Sequence, residues 1–477
     1  MLSFRIMRKR AAFLALLSVL FAAAKGESRE TGSVLSLDGT WSLAVDSNNV
    51  GRAEKWFDRD ALPNAKPTRV PRIIQDAFPG YHGVAWYART FTAPANPHAQ
   101  GRTLLRFEQV DYLAEVWVNG ISVGGHEGGE TPFVRDVTDA VRPGRTNRLT
   151  VRVLNPTEAP IDGIRLSETA KRCKEGGKNF YAGGSFNHGG ITESVALFCV
   201  PPVYAEDVFA NPVSGSDGTG VVHIRLTVRN ATSDSRKVCV ALTAAPACDG
   251  ETIASLALDR DLSAGISQIN ADLAIREPHL WNLNDPYLYR ITARVSAEGR
   301  PDFAERSVRC GFRDFRFSNG YFRLNGKRLF FKSAHTCNHF PIGLQFPRDP
   351  DMLRRDLLNM KVMGFNAVRF IWGAATPVQL DLCDEIGLMV YEESYASWPI
   401  APCPEMPNRF DAAVSELIVR DRNHPSVVAW GLLNETRDGP TFRHAAAMLP
   451  LVRGLDPDRM VFLGSGRWDL YPARNRI

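Results

Sequence analysis

The sequence predicts a multidomain chain: a β jelly-roll sandwich over 34–200, an immunoglobulin-like β-sandwich over 203–313, and a partial (β/α)8 TIM barrel over 316–477. Three observations carry this. Short apolar runs of period two, punctuated by Gly, Pro and Asn, fill the first two regions. From about 316 strand-like runs alternate with amphipathic helical ones, the pattern of a parallel sheet. The 477 residues suit about three domains at ~150 residues each. The balance of 44% hydrophobic and 23% charged residues excludes a largely disordered or collagen-like chain.

The first 24 residues read as a secretory leader. Arg5, Arg8, Lys9 and Arg10 precede the apolar run AAFLALLSVLFAAA, and Ala22-Ala23-Ala24 suits cleavage after small residues. As a membrane anchor this run falls short of the roughly 20 residues a span needs. The expectation is therefore export, to periplasm or medium, with no membrane contact after cleavage. Those four basic residues account for most of the net charge of +5. No basic surface is left that would point to nucleic acid.

In the first domain TWSLAVD, VAWYARTF, TLLRFEQV, RLTVRVLN and ESVALFCV alternate apolar and polar residues, as half-buried strands do. Within AEVWVNGISVGGHEGG, Asn119-Gly120 marks a tight hairpin. Pro201-Pro202 makes a joint. Five further runs follow: VVHIRLTVRN, RKVCVALTAA, SQINADLAI, LYRITARVS and ERSVRCGF. None of the eight cysteines falls in a CxxC pair, which argues against a zinc ribbon. Cys239 and Cys248 are candidates for a bridge across a hairpin, with free thiols the alternative.

In the third region five βα strands are expected, RLFFKSAH, FNAVRFIW, LMVYEES, SVVAWGLLNE and RMVFLGSG. Helices are expected at DMLRRDLLNMKVMG, PVQLDLCDEIG, 411–421 and FRHAAAMLPLVRGLD. A complete barrel has eight strands in about 250 residues, so the expectation is an incomplete barrel. The strongest local signal is RDRNHPSVVAWGLLNE (420–435), a buried strand delivering Asn434 and Glu435 to its C-terminal end, where barrel chemistry lies. A carboxyl there can protonate a leaving oxygen, and a neighbouring amide can bind a substrate hydroxyl, the parts that glycoside cleavage needs. Asn434-Glu435-Thr436 also matches a glycosylation sequon, a poor reading on a barrel strand.

RDRNHPSVVAWGLLNE closely resembles the acid/base signature of glycoside hydrolase family 2, the β-galactosidase, β-glucuronidase and β-mannosidase group. LDGTW (37–41), GVAWYARTF (83–91), VWVNG (116–120) and NHGGITESVAL (187–197) resemble its sugar-binding jelly roll. PHLWNLNDPYLYRITARV (278–295) and GFRDFRF (311–317) resemble the passage from its immunoglobulin-like domain to its barrel. NGYFRLNGKRLFFKSAH, MKVMGFNAVRF and LCDEIGLMVYEES follow in family order.

The resemblance implies a retaining β-glycosidase of β-galactosidase type, acting on β-linked oligosaccharides or glycosides without an organic cofactor. No metal site is predicted. It makes Glu435 the acid/base and Asn434 a ligand of the sugar 2-hydroxyl. Arg369 orients the nucleophile or forms a structural ion pair; Glu393 binds sugar, orients a neighbour or caps the barrel. His335 is a candidate sugar contact, although SAHTCNHFP departs from the family pattern, with Cys337 at the position of the family's His. Trp372 stacks on sugar or packs, Trp430 is core or pocket wall, and His424 belongs to a loop fixing the strand. The nucleophilic Glu of the family lies on strand seven and is expected to be absent from this chain. Glu392, Glu393 and Asp469 are possible but unsupported substitutes. The alternative is a carbohydrate-binding remnant without catalysis; a third possibility is a decayed, unstable product.

Overall fold

The computed structural model describes residues 34–171, 187–215, 218–248, 250–338, 340, 349–371, 373–398 and 400–466. The expected leader, Trp372, Asp469 and the second histidine of SAHTCNHFP, His339, lie outside the described residues. No helix among the described residues is long and apolar enough to cross a membrane.

Period-two alternation builds the first sandwich. A six-stranded sheet runs Lys66–Val70, Gly39–Asp46, Gly83–Thr92, Thr146–Asn155, Leu113–Val118, Ile121–Glu127. It faces a four-stranded sheet of Val34–Ser36, Val195–Val200, Arg102–Phe107 and Phe133–Asp136. Tyr87, Val151 and Val116 are cross-strand neighbours on the inner face and pack with Leu105, Phe107 and Leu197. The outer face of the larger sheet is also covered: Trp86, Trp117 and Ala44 pack with Trp56 and Leu62. The hairpin falls where the sequence puts it. Val118 pairs with Ile121, and Asn119 and Gly120 both have positive φ, 51° and 81°, as a two-residue turn demands.

The second sandwich has seven strands among the described residues. Val203–Ser214, Thr219–Asn230 and Gly265–Arg276 form one sheet. Ala254–Leu262, Arg236–Pro246, Tyr289–Ala297 and Phe303–Cys310 form the other. Val222, Ile224, Leu226 and Val228 meet Val240, Leu242, Ile291 and Val295 in the core. Cys239 and Cys248 are both free, correcting the possible bridge. Cys239 lies early in Arg236–Pro246 and Cys248 beyond its end, so the extended backbone separates them by about 20 Å at ~3.3 Å per residue, far outside disulfide reach.

The third domain opens with a small antiparallel sheet, Phe315–Ser318, Tyr321–Leu324 and Lys327–Leu329. Five parallel strands follow in sequential order: strand one Ser333–Thr336, two Ala367–Phe370, three Met389–Glu393, four Val427–Gly431 and five Met460–Phe462. Helices return the chain between them, and their starts are well encoded. Asp349 accepts from the amides of Asp351 (3.0 Å) and Met352 (3.3 Å) ahead of helix Pro350–Val362. Thr376 and Gln379 form a reciprocal capping box on helix Pro377–Ile386.

Two helices differ from expectation. The one expected at 411–421 begins a turn earlier, as Met406–Asp421, with a proline near its start. The run FRHAAAMLPLVRGLD divides into Pro440–Ala447 and Leu449–Leu455. Pro450 has no N–H to donate back to Ala446, so the helical ladder cannot run through it.

Candidate active site

Alternation along strand three separates two adjacent glutamates. Glu393 shares the inner face with Tyr391 and Arg369. Glu392 shares the outer face with Val390 and lies under the helices, among Ala375, Arg420 and Asp421. Glu392 is therefore turned away from the barrel mouth, which corrects its place among possible nucleophiles. Burial holds its pKa well above the ordinary carboxylate range, and Asp421 adds to the shift.

Glu393 is fully buried. Arg369, on strand two, donates to its Oε1 from Nε at 2.8 Å. Arg369 Nη2 also donates to Oδ1 of Asn434 at 2.8 Å, and its guanidinium lies 5.0 Å from the centre of the Tyr391 ring. Burial raises the Glu393 pKa, and Arg369 pulls it back. Of the alternatives open for these two residues, ion pairing and orientation of a neighbour are what the geometry displays.

Asn434 follows strand four and is 2% exposed. Besides Arg369, Ser465 Oγ donates to its Oδ1 at 2.7 Å, and its own amide donates to the Ser397 carbonyl at 2.8 Å. With Oδ1 so engaged, the carboxamide orientation is fixed and Nδ2 is left without a protein partner. A buried donor held in this way is suited to a substrate hydroxyl. The same burial makes glycosylation of Asn434 a poor fit.

Glu435 is exposed and takes a left-handed backbone conformation, φ 47°. Outside glycine that region costs roughly 1–2 kcal/mol. Its side chain runs beside the segment after strand five: a β-carbon on Gly466 would stand 3.8 Å from Glu435 Cγ. Strands two, three, four and five thus bring Arg369, Glu393, Asn434, Glu435 and Ser465 to one end of the sheet. His335 on strand one is in register with Arg369 and exposed.

The room for this cluster comes from Gly431, the last residue of strand four and the partner of Glu393. A β-carbon there would lie 2.4 Å from Tyr391 Cε2 and 2.6 Å from Glu393 Cγ. Gly431→Ala is expected to cost about 1–3 kcal/mol by overpacking. It also displaces Glu393 from Arg369, and thermal melts of the two proteins measure the loss.

Trp430 is core: its ring packs among the helices and Nε1 donates to Asp456 at 2.8 Å. His424 fixes the approach to strand four through Asp384, Nδ1 to Oδ2 2.6 Å. Burial disfavours its imidazolium, but Asp384 and Asp381 more than offset this and raise its pKa. Asp381, Asp384 and His424 group their ligand atoms within 4.8 Å. Arg309 already pairs with Asp381, so the cluster is complete as an ion-pair network. Ser465 and Ser397 were not among the candidates read from sequence; short polar residues after strands carry no distinguishing signal.

Family models match nearly the whole described chain in order. They are described as the family 2 glycosyl hydrolase sugar-binding domain at 34–201, the family 2 domain at 203–313 and the family 2 TIM-barrel domain at 315–472. A putative β-glucuronidase of Formosa agariphila is 29% identical over 81% of this chain and 35% of its own length. The β-glucuronidase of Paenibacillus borealis is 28% identical over 90% of this chain and 73% of its own length. The β-galactosidase of Pectobacterium atrosepticum is 26% identical over 93% and 44%. The chain thus spans from about a third to about three quarters of the relatives it matches. Among solved structures, Parabacteroides merdae β-glucuronidase superposes with a TM-score of 0.74 at 25% identity, covering 90% of this chain and 56% of that one.

Proposed function

The chain belongs to glycoside hydrolase family 2, and on that premise we propose that it hydrolyses terminal β-linked glycosides with retention, Glu435 serving first as general acid and then as general base. The observation that carries this reading is the clamp on Asn434. Arg369, Ser465 and the Ser397 carbonyl fix it beside an exposed carboxyl at the strand ends.

In the first step Glu435 gives its proton to the glycosidic oxygen as the bond to the anomeric carbon breaks and a second carboxylate attacks that carbon. Water then displaces the carboxylate, losing its proton to Glu435. The two carboxyls of such a mechanism stand about 5–5.5 Å apart. The attacking group is assigned to none of the described residues. Glu393 is engaged with Arg369 and is assigned instead to holding Asn434 in place through that arginine. Nδ2 of Asn434 is proposed to meet the sugar 2-hydroxyl.

The expected β-galactoside rests on domain order alone. β-Glucuronidases as well as β-galactosidases are among the relatives, so both sugars are in play. Residues 1–24 are proposed to direct export, so that the substrate is met outside the cytoplasm.

The test is hydrolysis of p-nitrophenyl β-D-galactoside and β-D-glucuronide by the full chain and by Glu435→Gln. Release of nitrophenol by the unsubstituted chain that the substitution slows supports the proposal. Sugar binding in calorimetry with no release by the unsubstituted chain overturns it in favour of a binding protein.

A further inference from the structure

We infer that Glu130, a residue of the sugar-binding domain, is a positioning residue for this site, its carboxyl holding the Tyr395–Ser397 turn that in turn holds Asn434. The inference rests on the active-site reading above, and its test includes a readout independent of turnover.

The chain of contacts is short. Both carboxyl oxygens of Glu130 accept from the Tyr395 amide, at 2.9 and 2.8 Å. The turn over Tyr395–Ser397 begins two residues after Glu393, past the last ladder pair of strand three, Glu393 with Gly431. The Tyr395 N–H is thus served by a side chain from another domain. The Ser397 carbonyl at the far end of the turn accepts from the Asn434 amide. One carboxyl therefore lies two hydrogen bonds away from the residue preceding the proposed acid/base.

The loop that carries Glu130 is fastened to helix Met406–Asp421. Arg420 Nη1 donates to the Glu130 carbonyl at 2.7 Å. Thr131 and His126 both meet Glu416, at 2.5 and 3.0 Å, and Arg409 pairs with Glu127 at 2.6 Å. These contacts dock the domain without Glu130's side chain, which is free to serve the turn. The groups facing that side chain are the Tyr395 amide, Arg420, Asp421 and Glu416, with Glu392 across the cluster. Burial pushes the Glu130 pKa up to about 8. Burial thus disfavours a charge there, and glutamine, which keeps an oxygen acceptor for the Tyr395 amide, is its conservative replacement.

Amide hydrogen exchange on the full chain tests this without any substrate. Glu130→Ala is expected to speed exchange about tenfold or more in 394–398 and 432–436, since a buried N–H loses its acceptor. Glu130→Gln is expected to keep wild-type protection, and 406–421 to stay within about twofold in both. Unchanged protection of both segments in Glu130→Ala, or equal loosening of 406–421, overturns the inference, because the residue would then serve docking alone.

Melts against pH add a sign. An acid whose folded pKa is about 8 holds a proton that the unfolded chain releases near pH 4.5, so its contribution to stability falls as pH rises between those values. The Tm of Glu130→Gln relative to wild type is therefore expected to climb from about pH 5 to about pH 8. Where the wild type turns over a p-nitrophenyl β-glycoside, Glu130→Ala lowers kcat with KM within about twofold, and Glu130→Gln restores it. If the wild type turns over none, the proposed function fails while the exchange data still decide the role of Glu130.

Discussion

Replacing Glu435 by glutamine is expected to lower kcat about 10²–10⁴-fold on glycosides with poor leaving groups, the usual contribution of a positioned general acid. The loss should be smaller on p-nitrophenyl glycosides, whose leaving oxygen needs little protonation. Stability should hardly change, because the side chain is exposed. Initial rates on the two leaving-group classes, with a thermal melt of each protein, check both halves. An equal loss on both classes would mean that Glu435 acts otherwise than as an acid.

Arg369→Ala is the substitution expected to cost most in stability, about 3–5 kcal/mol, the price of leaving a buried carboxyl without its partner. Glu393 is fully buried, and Arg369 holds Glu393 and Asn434 together. Lysine should rescue little. Its single ammonium cannot place donors on the Glu393 and Asn434 oxygens in the fixed fork of a guanidinium. Adding Glu393→Gln to Arg369→Ala should recover part of the loss, since a neutral amide is cheaper to bury than a carboxylate. Denaturant titrations of the three variants measure these differences. A loss below about 1 kcal/mol in Arg369→Ala would place the pair among ordinary surface bridges.

Much of this fold was legible because local and global signals agree. Barrel strands two to five were read from sequence as apolar runs, and strands three and four are buried on both faces. Strand one differs: Arg328-Leu329 of the expected RLFFKSAH pairs in the small antiparallel sheet, and the parallel strand is the part-exposed Ser333–Thr336. The Asn119-Gly120 turn announced its hairpin by chemistry that few other turns share. Two strands of the second sandwich were missed for opposite reasons. Ala254–Leu262 is an edge strand whose core-facing Ala254, Leu256 and Leu258 are only half-buried, and the charged run Asp259-Arg260-Asp261 breaks its alternation. Val203–Ser214 carries a bulge between Ala205 and Asp207 that shifts its alternation midway.

The site was legible where it follows a strand and illegible where it depends on contact between domains. Asn434 and Glu435 end an apolar run, and Arg369 and Glu393 stand at strand ends. Glu130 lies in a loop more than 200 residues before any of them. Its role arises only when two domains meet, and nothing in the loop HEGGETPF distinguishes its glutamate from a solvated one. Glu392 and Glu393 look alike in sequence, and only the register of strand three assigns one to each face.

The left-handed backbone at Glu435 turns that position into a gauge of selection. Glycine, asparagine and aspartate enter this conformation more readily than glutamate. Were the carboxyl idle, drift would favour such replacements, because they relieve the backbone at no functional loss. Among close variants of this gene, glutamate kept at 435 while neighbouring exposed positions change freely would indicate that chemistry still outweighs folding there. Glycine or asparagine at 435 would mark lineages in which the chemistry has been given up.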